Sequence, residues 1–254
     1  MRILFIGDVV GSAGRRALRT LLPSLRREVA PDLVIANGEN AAGGNGLTLA
    51  TAQEILGAGV DIITSGNHIW DQKEFLPYLD GDLPVLRPLN YPPGVPGRGY
   101  LQRGEVVVVN LQGRTFMAPI DCPFRAIDTL LQRLQGARII IVDFHAEATS
   151  EKQAMGWYLD GRVSAVLGTH THVPTADPRI LPQGTAFITD VGMCGPRNAI
   201  IGFEVQDILE RFLTQTPRRF NAAGGPAVLN AVVVDVEEQT GRARAIFRVD
   251  REAP

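Results

Sequence analysis

The sequence predicts an α/β protein built on a mostly parallel sheet, and three observations carry that expectation. Short apolar runs alternate with amphipathic segments of helical period along most of the chain, the order that a parallel sheet with right-handed crossovers produces. Several runs stop at a glycine followed by side chains able to bind metal: Gly7-Asp8, Gly38-Glu39-Asn40, Gly66-Asn67-His68 and Gly168-Thr169-His170-Thr171-His172. The chain has 4 histidines, and all of them, His145 included, stand at such strand ends.

Residues 2–7 form an apolar run bounded by breakers, as a central strand does. Asp8 stands at its end, and Gly11-Ser12 opens a helix with Ser12 as the expected N-cap. Leu18, Leu21, Leu22, Leu25 and Val29 fall on one helical face, and Pro23 is expected to kink it. A strand at 32–37, a glycine-rich loop (Gly43, Gly44, Gly46), a helix near 48–58 and a strand at 60–65 follow. The Pro- and Gly-rich stretch 80–100 reads as an irregular surface connection forming a cleft wall. Residues 105–111 are a Val-rich strand, with 115–118 expected to pair with it as a hairpin. Next come a helix near 124–135, a strand at 138–143 leading to His145, and a helix at 150–159 opened by Ser150. The strand 163–167 precedes Gly168, and the strand 185–189 runs into the turn-rich loop Asp190–Pro196. A helix near 205–213 and an antiparallel pair, 227–236 and 242–249, joined through Thr240-Gly241, close the chain.

With 254 residues and 45% hydrophobic content, one domain spanning 1–254 is expected. A net charge of −2 with 20% charged residues gives no electrostatic case for long nucleic acid or an anionic membrane. Cys122 and Cys194 form no Cys-x-x-Cys pair, so they read as free thiols of a reducing compartment. No leader precedes the first strand and no apolar run approaches the roughly 20 residues of a membrane span. A cytoplasmic protein is the expectation.

In open α/β sheets ligands bind beyond the carboxyl ends of the strands. Asp8, Glu39, Asn40, Asn67, His145, His170 and His172 all hold that position. Alone, Asp8 reads as a helix cap, Asn67 as a turn residue and His145 as a core histidine. Together they form an oxygen-plus-imidazole set without thiolate, which suits iron or manganese better than zinc. The set is too large for one ion and fits a pair sharing a carboxylate. Arg15 and Arg16, early in the first helix, read as a solvated basic face, with a phosphate contact as the alternative. Lys152 is a weaker candidate of the same kind. Trp70, Trp157 and Phe203 read as packing residues rather than base-stacking ones.

In order, spacing and length, Gly7-Asp8, Asn37-Gly38-Glu39-Asn40, Gly66-Asn67-His68, His145 and Gly168–His172 resemble the motifs of calcineurin-like metallophosphoesterases. The nearer resemblance is to the YmdB-type branch, described as 2',3'-cyclic-nucleotide 2'-phosphodiesterases. The superfamily's first motif is Asp-x-His, whereas here it is Asp8-Val9-Val10. Its second carries a bridging Asp, whereas here Glu39-Asn40 stands there. The resemblance implies a layered α/β/β/α sandwich with mostly parallel central strands and the C-terminal antiparallel pair. It implies two metal ions, iron first and manganese second. One would be held by Asp8, Glu39, Asn40 and His172, the other by Glu39, Asn67, His145 and His170, with Glu39 bridging. His68 is implied as proton donor, with a ligand or orienting role as the alternatives; Asp71 either orients it or caps the next helix. Two such ions, about 3.5–4 Å apart, would acidify a bridging water that attacks phosphorus. The implied substrate is a small cyclic nucleotide, 2',3'-cyclic with 3',5'-cyclic as a further candidate, and the implied assembly is a homo-oligomer. The alternatives are a phosphomonoesterase or nuclease of the superfamily, or a non-enzymatic metal or nucleotide sensor acting through a protein partner.

Overall fold

A computed structural model describes residues 1–253. In chain order the first strands are β1 (Arg2–Ile6), β2 (Asp8–Val9), β3 (Leu33–Asn37), β4 (Ile62–Thr64), β5 (Tyr100–Arg103), β6 (Val106–Gln112) and β7 (Ile139–His145). They are followed by β8 (Ala165–Thr169), β9 (Arg179–Ile180), β10 (Ala186–Ile188) and β11 (Met193–Pro196). The last are β12 (Ala227–Leu229), β13 (Ala231–Val236), β14 (Ala243–Arg248) and β15 (Arg251–Ala253). The helices are α1 (Gly11–Val29), α2 (Leu49–Gly57), α3 (Leu76–Leu79), α4 (Pro123–Arg133), α5 (Thr149–Leu159) and α6 (Val205–Thr214).

Two sheets stack face to face. The first runs β14-β13-β1-β3-β4, and the second β5-β6-β7-β8-β10-β9. Within them β1-β3-β4 and β6-β7-β8-β10 are parallel, while β13, β14, β5 and β9 pair antiparallel. The two-residue period of a strand explains the layering. On β1, Leu4 and Ile6 face α1 and α2, while Ile3 and Phe5 face the other sheet. On β7, Ile139 and Ile141 point to the inter-sheet core, and Ile140 and Val142 to the layer under α4 and α5. The result is α/β/β/α, as expected. A smaller sheet, β15-β12-β11-β2, ties Asp8 to Met193 in parallel register.

Several local expectations are corrected. The partner of β6 on its outer side is β5, which starts at the last residue of the stretch read as irregular, and not 115–118. The amides of Arg114 and Thr115 instead donate to the Glu151 carboxylate, at 3.0–3.1 Å. Ser12 does not cap α1. Val10 holds the capping position without a side-chain bond, and the Gly11 amide donates to the Asn40 carbonyl at 2.9 Å. Ser150 likewise lies inside α5, whose N-cap is Ala148. The strand read at 227–236 breaks at Asn230, which separates β12 from β13. The hairpin of β13 and β14 is antiparallel, as expected. Among the described residues, no helix is long and apolar enough to cross a membrane.

Candidate metal centre

The carboxyl ends of β1, β3, β4, β7 and β8 meet at one edge, and the side chains read from the sequence gather there. Asp8, Glu39, Asn40, His145 and His172 are buried. Glu39 Oε1 lies 2.9 Å from His145 Nε2, and Glu39 Oε2 accepts from the His68 amide at 3.1 Å. His170 Nδ1 stands 2.9 Å from that same His145 Nε2. Asp8 Oδ2 accepts from the His170 amide at 3.2 Å, while Asp8 Oδ1 is 3.8 Å from both His145 Nδ1 and His172 Nε2. His172 Nδ1 donates to the Ile201 carbonyl at 2.7 Å, leaving the Nε2 lone pair on the Asp8 side.

The donor set fits a cation. Asp8 Oδ1, Asn40 Oδ1 and Asn67 Oδ1 are buried oxygens without a hydrogen-bond partner among the described residues. Such orphans are rare, because each forfeits its hydration for nothing. For Asn40 the orientation is fixed: its Nδ2 donates to the Gly44 carbonyl at 2.8 Å, which leaves the oxygen as the free end of an amide that lines one cavity with Glu39, His170 and His172. Donor atoms of Glu39, His145 and His170 all lie within 4.8 Å of one another. Oxygen and imidazole nitrogen brought together without thiolate make a donor set that could hold a metal ion.

The electrostatics are strained in the same sense. Burial pushes the Asp8 carboxyl well above its ordinary range. Burial opposes the Glu39 charge too, but the neighbouring His145 holds this carboxylate down to about 2. His145, which burial alone would depress, is raised to about 9 by Glu39. Burial and then His145 push His170 down to about 3. Opposed displacements of this kind between adjacent groups mark functional sites.

A second layer of residues, to which the sequence assigned no such role, holds this set in place. Thr169 Oγ1 donates to Asp143 at 2.7 Å and so accepts from His145 Nδ1 at 2.9 Å, which turns Nε2 toward the centre. Asn37 Nδ2 donates to the other Asp143 oxygen at 3.0 Å. Burial lifts the Asp143 carboxyl to about 6. His170 and His172 adopt left-handed backbone, at φ 99° and 64°, a conformation that costs about 1–3 kcal/mol per residue and needs a surrounding that imposes it. Asp190 imposes it: its Oδ2 accepts from the Thr171 amide at 3.1 Å and hydroxyl at 2.7 Å, between the two histidines. Lys152 completes the buried network with a 2.6 Å bond to Asp190. The reading of Lys152 as a phosphate contact is therefore corrected, since its ammonium is spent on that carboxylate. Lys152→Met is expected to lose about 3–5 kcal/mol by chemical denaturation, the cost of an abandoned buried charge; a loss under about 1 kcal/mol would contradict the network.

Gly66 has a steric reason to be glycine. A Cβ there would lie 2.1 Å from His145 Cδ2 and 2.4 Å from Glu39 Oε2. Gly66→Ala is expected to cut metal affinity at least about tenfold, as a displaced ligand shell does, with the far-UV CD spectrum retained. Wild-type affinity in that variant would contradict the packing.

His68 lies in a short 3-10 turn, Asn67–Trp70, at the rim rather than in the buried set. Its Nδ1 pairs with Asp71 Oδ2 at 2.8 Å, so Asp71 orients the imidazole and does not cap the following helix. Arg15 is not on a solvated face. It pairs with Glu54 at 2.5 Å and bonds the Ala41 carbonyl. Trp70 packs edge-on against Tyr91 with centroids 5.1 Å apart, and Phe203 is buried beside Phe220. Trp157 is half exposed beneath the Arg179 guanidinium. Both cysteines are free thiols, Cys194 buried and Cys122 partly so.

A family model described as "YmdB-like protein" matches residues 4–249. A curated 2',3'-cyclic-nucleotide 2'-phosphodiesterase of Bacillus subtilis (strain 168) is 51% identical over 254 residues, 98% of this chain and 96% of that protein. A crystal structure of a hypothetical protein from Thermus thermophilus superimposes with a TM-score of 0.94 at 51% identity, covering 100% of both chains. The structure of a novel phosphatase from Mycoplasma pneumoniae gives a TM-score of 0.94 at 36% identity, over 99% of this chain and 93% of that one.

Proposed function

This chain belongs to the YmdB-like family of metallophosphoesterases, and we propose that it is a metal-dependent phosphodiesterase that opens 2',3'-cyclic nucleotides at the 2' ester. The observation that carries the reading is the cluster of Glu39, His145 and His170 donor atoms within 4.8 Å of one another, with buried, unpartnered oxygens of Asp8, Asn40 and Asn67 on the strand ends around it. The choice of substrate and of ester bond is supported by the name of the Bacillus subtilis relative.

Asp8, Glu39, Asn40 and His172 would hold one ion, and Glu39, Asn67, His145 and His170 the other, with Glu39 shared. The donor chemistry suits iron- or manganese-type ions, and the family resemblance puts iron first. Bound there, the ions supply positive charge to the phosphoryl oxygens and lower the pKa of a water. The chain's own residues do the rest. Burial of the Asp8–Glu39 pocket excludes bulk water, which strengthens every charge interaction in it. As water adds to phosphorus and the bond to the 2' oxygen breaks, that oxygen needs a proton, and the product is a 3'-monophosphate. His68 is the donor: Asp71 fixes its Nδ1, leaving Nε2 to face the leaving oxygen. The side chain lines the cavity that also contains Glu39, Asn40, His170 and His172.

The reading extends to a reducing, cytoplasmic setting, supported by the two free thiols. It extends also to self-association, supported by Phe212 and Leu213, exposed on α6.

The test is a panel assay of iron- and manganese-loaded protein. Expected is turnover of 2',3'-cyclic nucleotides to 3'-monophosphates, well above that of 3',5'-cyclic nucleotides, phosphomonoesters or a single-stranded oligonucleotide. Metal-loaded protein that turns over none of them is a sensor, and the proposal fails.

A further inference from the structure

Beside the catalytic cavity, of about 290 Å³, lies a larger one of about 780 Å³. The two share His68, Ile201 and Phe203 as a common rim. The larger volume alone is in the upper part of the about 300–1,000 Å³ range that holds whole drug-sized ligands, so a ribose and base do not fill it. Its charge is one-sided. Arg15, Arg218 and Arg219 line it, and no carboxylate does, although the chain as a whole carries −2.

The arginines differ in what they are free to do. Arg15 is engaged by Glu54 and the Ala41 carbonyl, and Arg218 pairs with Glu210 on α6. Arg219 has no carboxylate partner among the described residues. Its backbone is nevertheless placed. The following Phe220 packs on Phe203 with centroids 5.9 Å apart, and Asn221 is tied to Asp207 by two bonds of 2.9 and 3.0 Å. An unspent guanidinium thus stands at the mouth of a cavity without acids, where an anion gains the most from it.

The geometry of a cyclic nucleotide says which anion. With its 2',3' edge at the proposed metal centre and its leaving oxygen at His68, a ribose would turn its opposite edge, C4'–C5' and the base, toward the rim that the two cavities share. Resting on the reading of the site given above, we propose that the larger cavity is a subsite for the 5' side of the substrate, with Arg219 contacting a 5' phosphate. The substrate class is then a nucleotide or short oligonucleotide that ends in a 2',3'-cyclic phosphate and continues through a 5' phosphate, rather than a cyclic mononucleotide with a free 5' hydroxyl.

The experiment compares three substrates with the metal-loaded enzyme: adenosine 2',3'-cyclic phosphate, its 5'-phosphorylated form, and a dinucleotide with a 2',3'-cyclic end. Expected is a kcat/KM about tenfold higher for the last two, the return of one charge-assisted contact. Arg219→Ala should bring that ratio to about one, and Arg219→Lys should keep most of it. Calorimetry with adenosine 3',5'-bisphosphate against adenosine 3'-monophosphate should show the same preference without turnover. Equal rates on all three substrates overturn the subsite and leave the phosphodiesterase reading standing. A preference that survives Arg219→Ala overturns the role of Arg219. A gain confined to the dinucleotide points to its second base and overturns the phosphate contact. No turnover of any substrate sinks the reading of the site, and this inference with it.

Discussion

Glu39→Ala is expected to empty both halves of the metal centre and to lower kcat/KM by at least about 10⁴-fold, the scale on which groups acting as one unit fail together. The reason is positional. Glu39 is the residue whose two oxygens face different neighbours, Oε1 toward His145 and Oε2 toward the His68 turn. Its carboxylate also offsets the buried imidazoles, and it is Glu39 that raises His145 against the effect of burial. Removing it leaves Asp8 as the one carboxylate of the proposed ligand set, itself displaced upward by burial. Metal analysis beside the rate decides the matter: one full equivalent of tightly held ion in Glu39→Ala would contradict a shared ligand. A near-native far-UV CD spectrum is expected, because Glu39 lies past the end of β3 and outside the three apolar clusters.

His68→Ala is expected to keep its metal and lose about 10²–10⁴-fold in kcat, the usual contribution of a general acid. The separation follows from geometry. His68 turns its Nδ1 to Asp71, and its contact with the ligand set is through its backbone amide, which Ala retains. Asp71→Asn should fall in the same direction by a smaller factor, since it disturbs only the orientation of the ring. Loss of metal in His68→Ala would move the imidazole into the ligand set. An unchanged kcat would remove it from the reaction.

Four of the five strand ends around the candidate centre were legible because each is announced twice, by an apolar run and by a glycine that leaves room for a close neighbour, while the fifth, at His145, has the apolar run and the imidazole alone. Gly66 shows the second signal at its clearest, since nothing larger than hydrogen fits beside His145. The layering was legible for a similar reason. Ile139–Val142 is apolar on both faces, as only a strand buried between two layers has to be. What escaped was whatever depends on distant partners. Tyr100–Arg103 is an edge strand with three exposed residues and no apolar alternation, so its pairing with β6 has no local signature. Ser12 and Ser150 carry the capping residue type, yet the chain enters α1 and α5 through Val10 and Ala148. Lys152 is charged and early in a helix, which suggests a solvent-facing role, and only the fold brings Asp190 against it. Asn37, Asp143 and Thr169 lie inside the strand runs or at their ends, where a polar side chain looks like an interruption until its partner across the sheet is seen.

The central claim is that two cations share Glu39 at the carboxyl edge of the paired sheets. The most direct measurement is an anomalous-difference map from crystals of metal-loaded protein, with data on both sides of the iron edge. The account predicts two peaks flanking the Glu39 carboxylate, one beside Asp8, Asn40 and His172 and the other beside Asn67, His145 and His170. A single peak, or peaks that leave the orphan oxygens of Asp8, Asn40 and Asn67 uncoordinated, would contradict it.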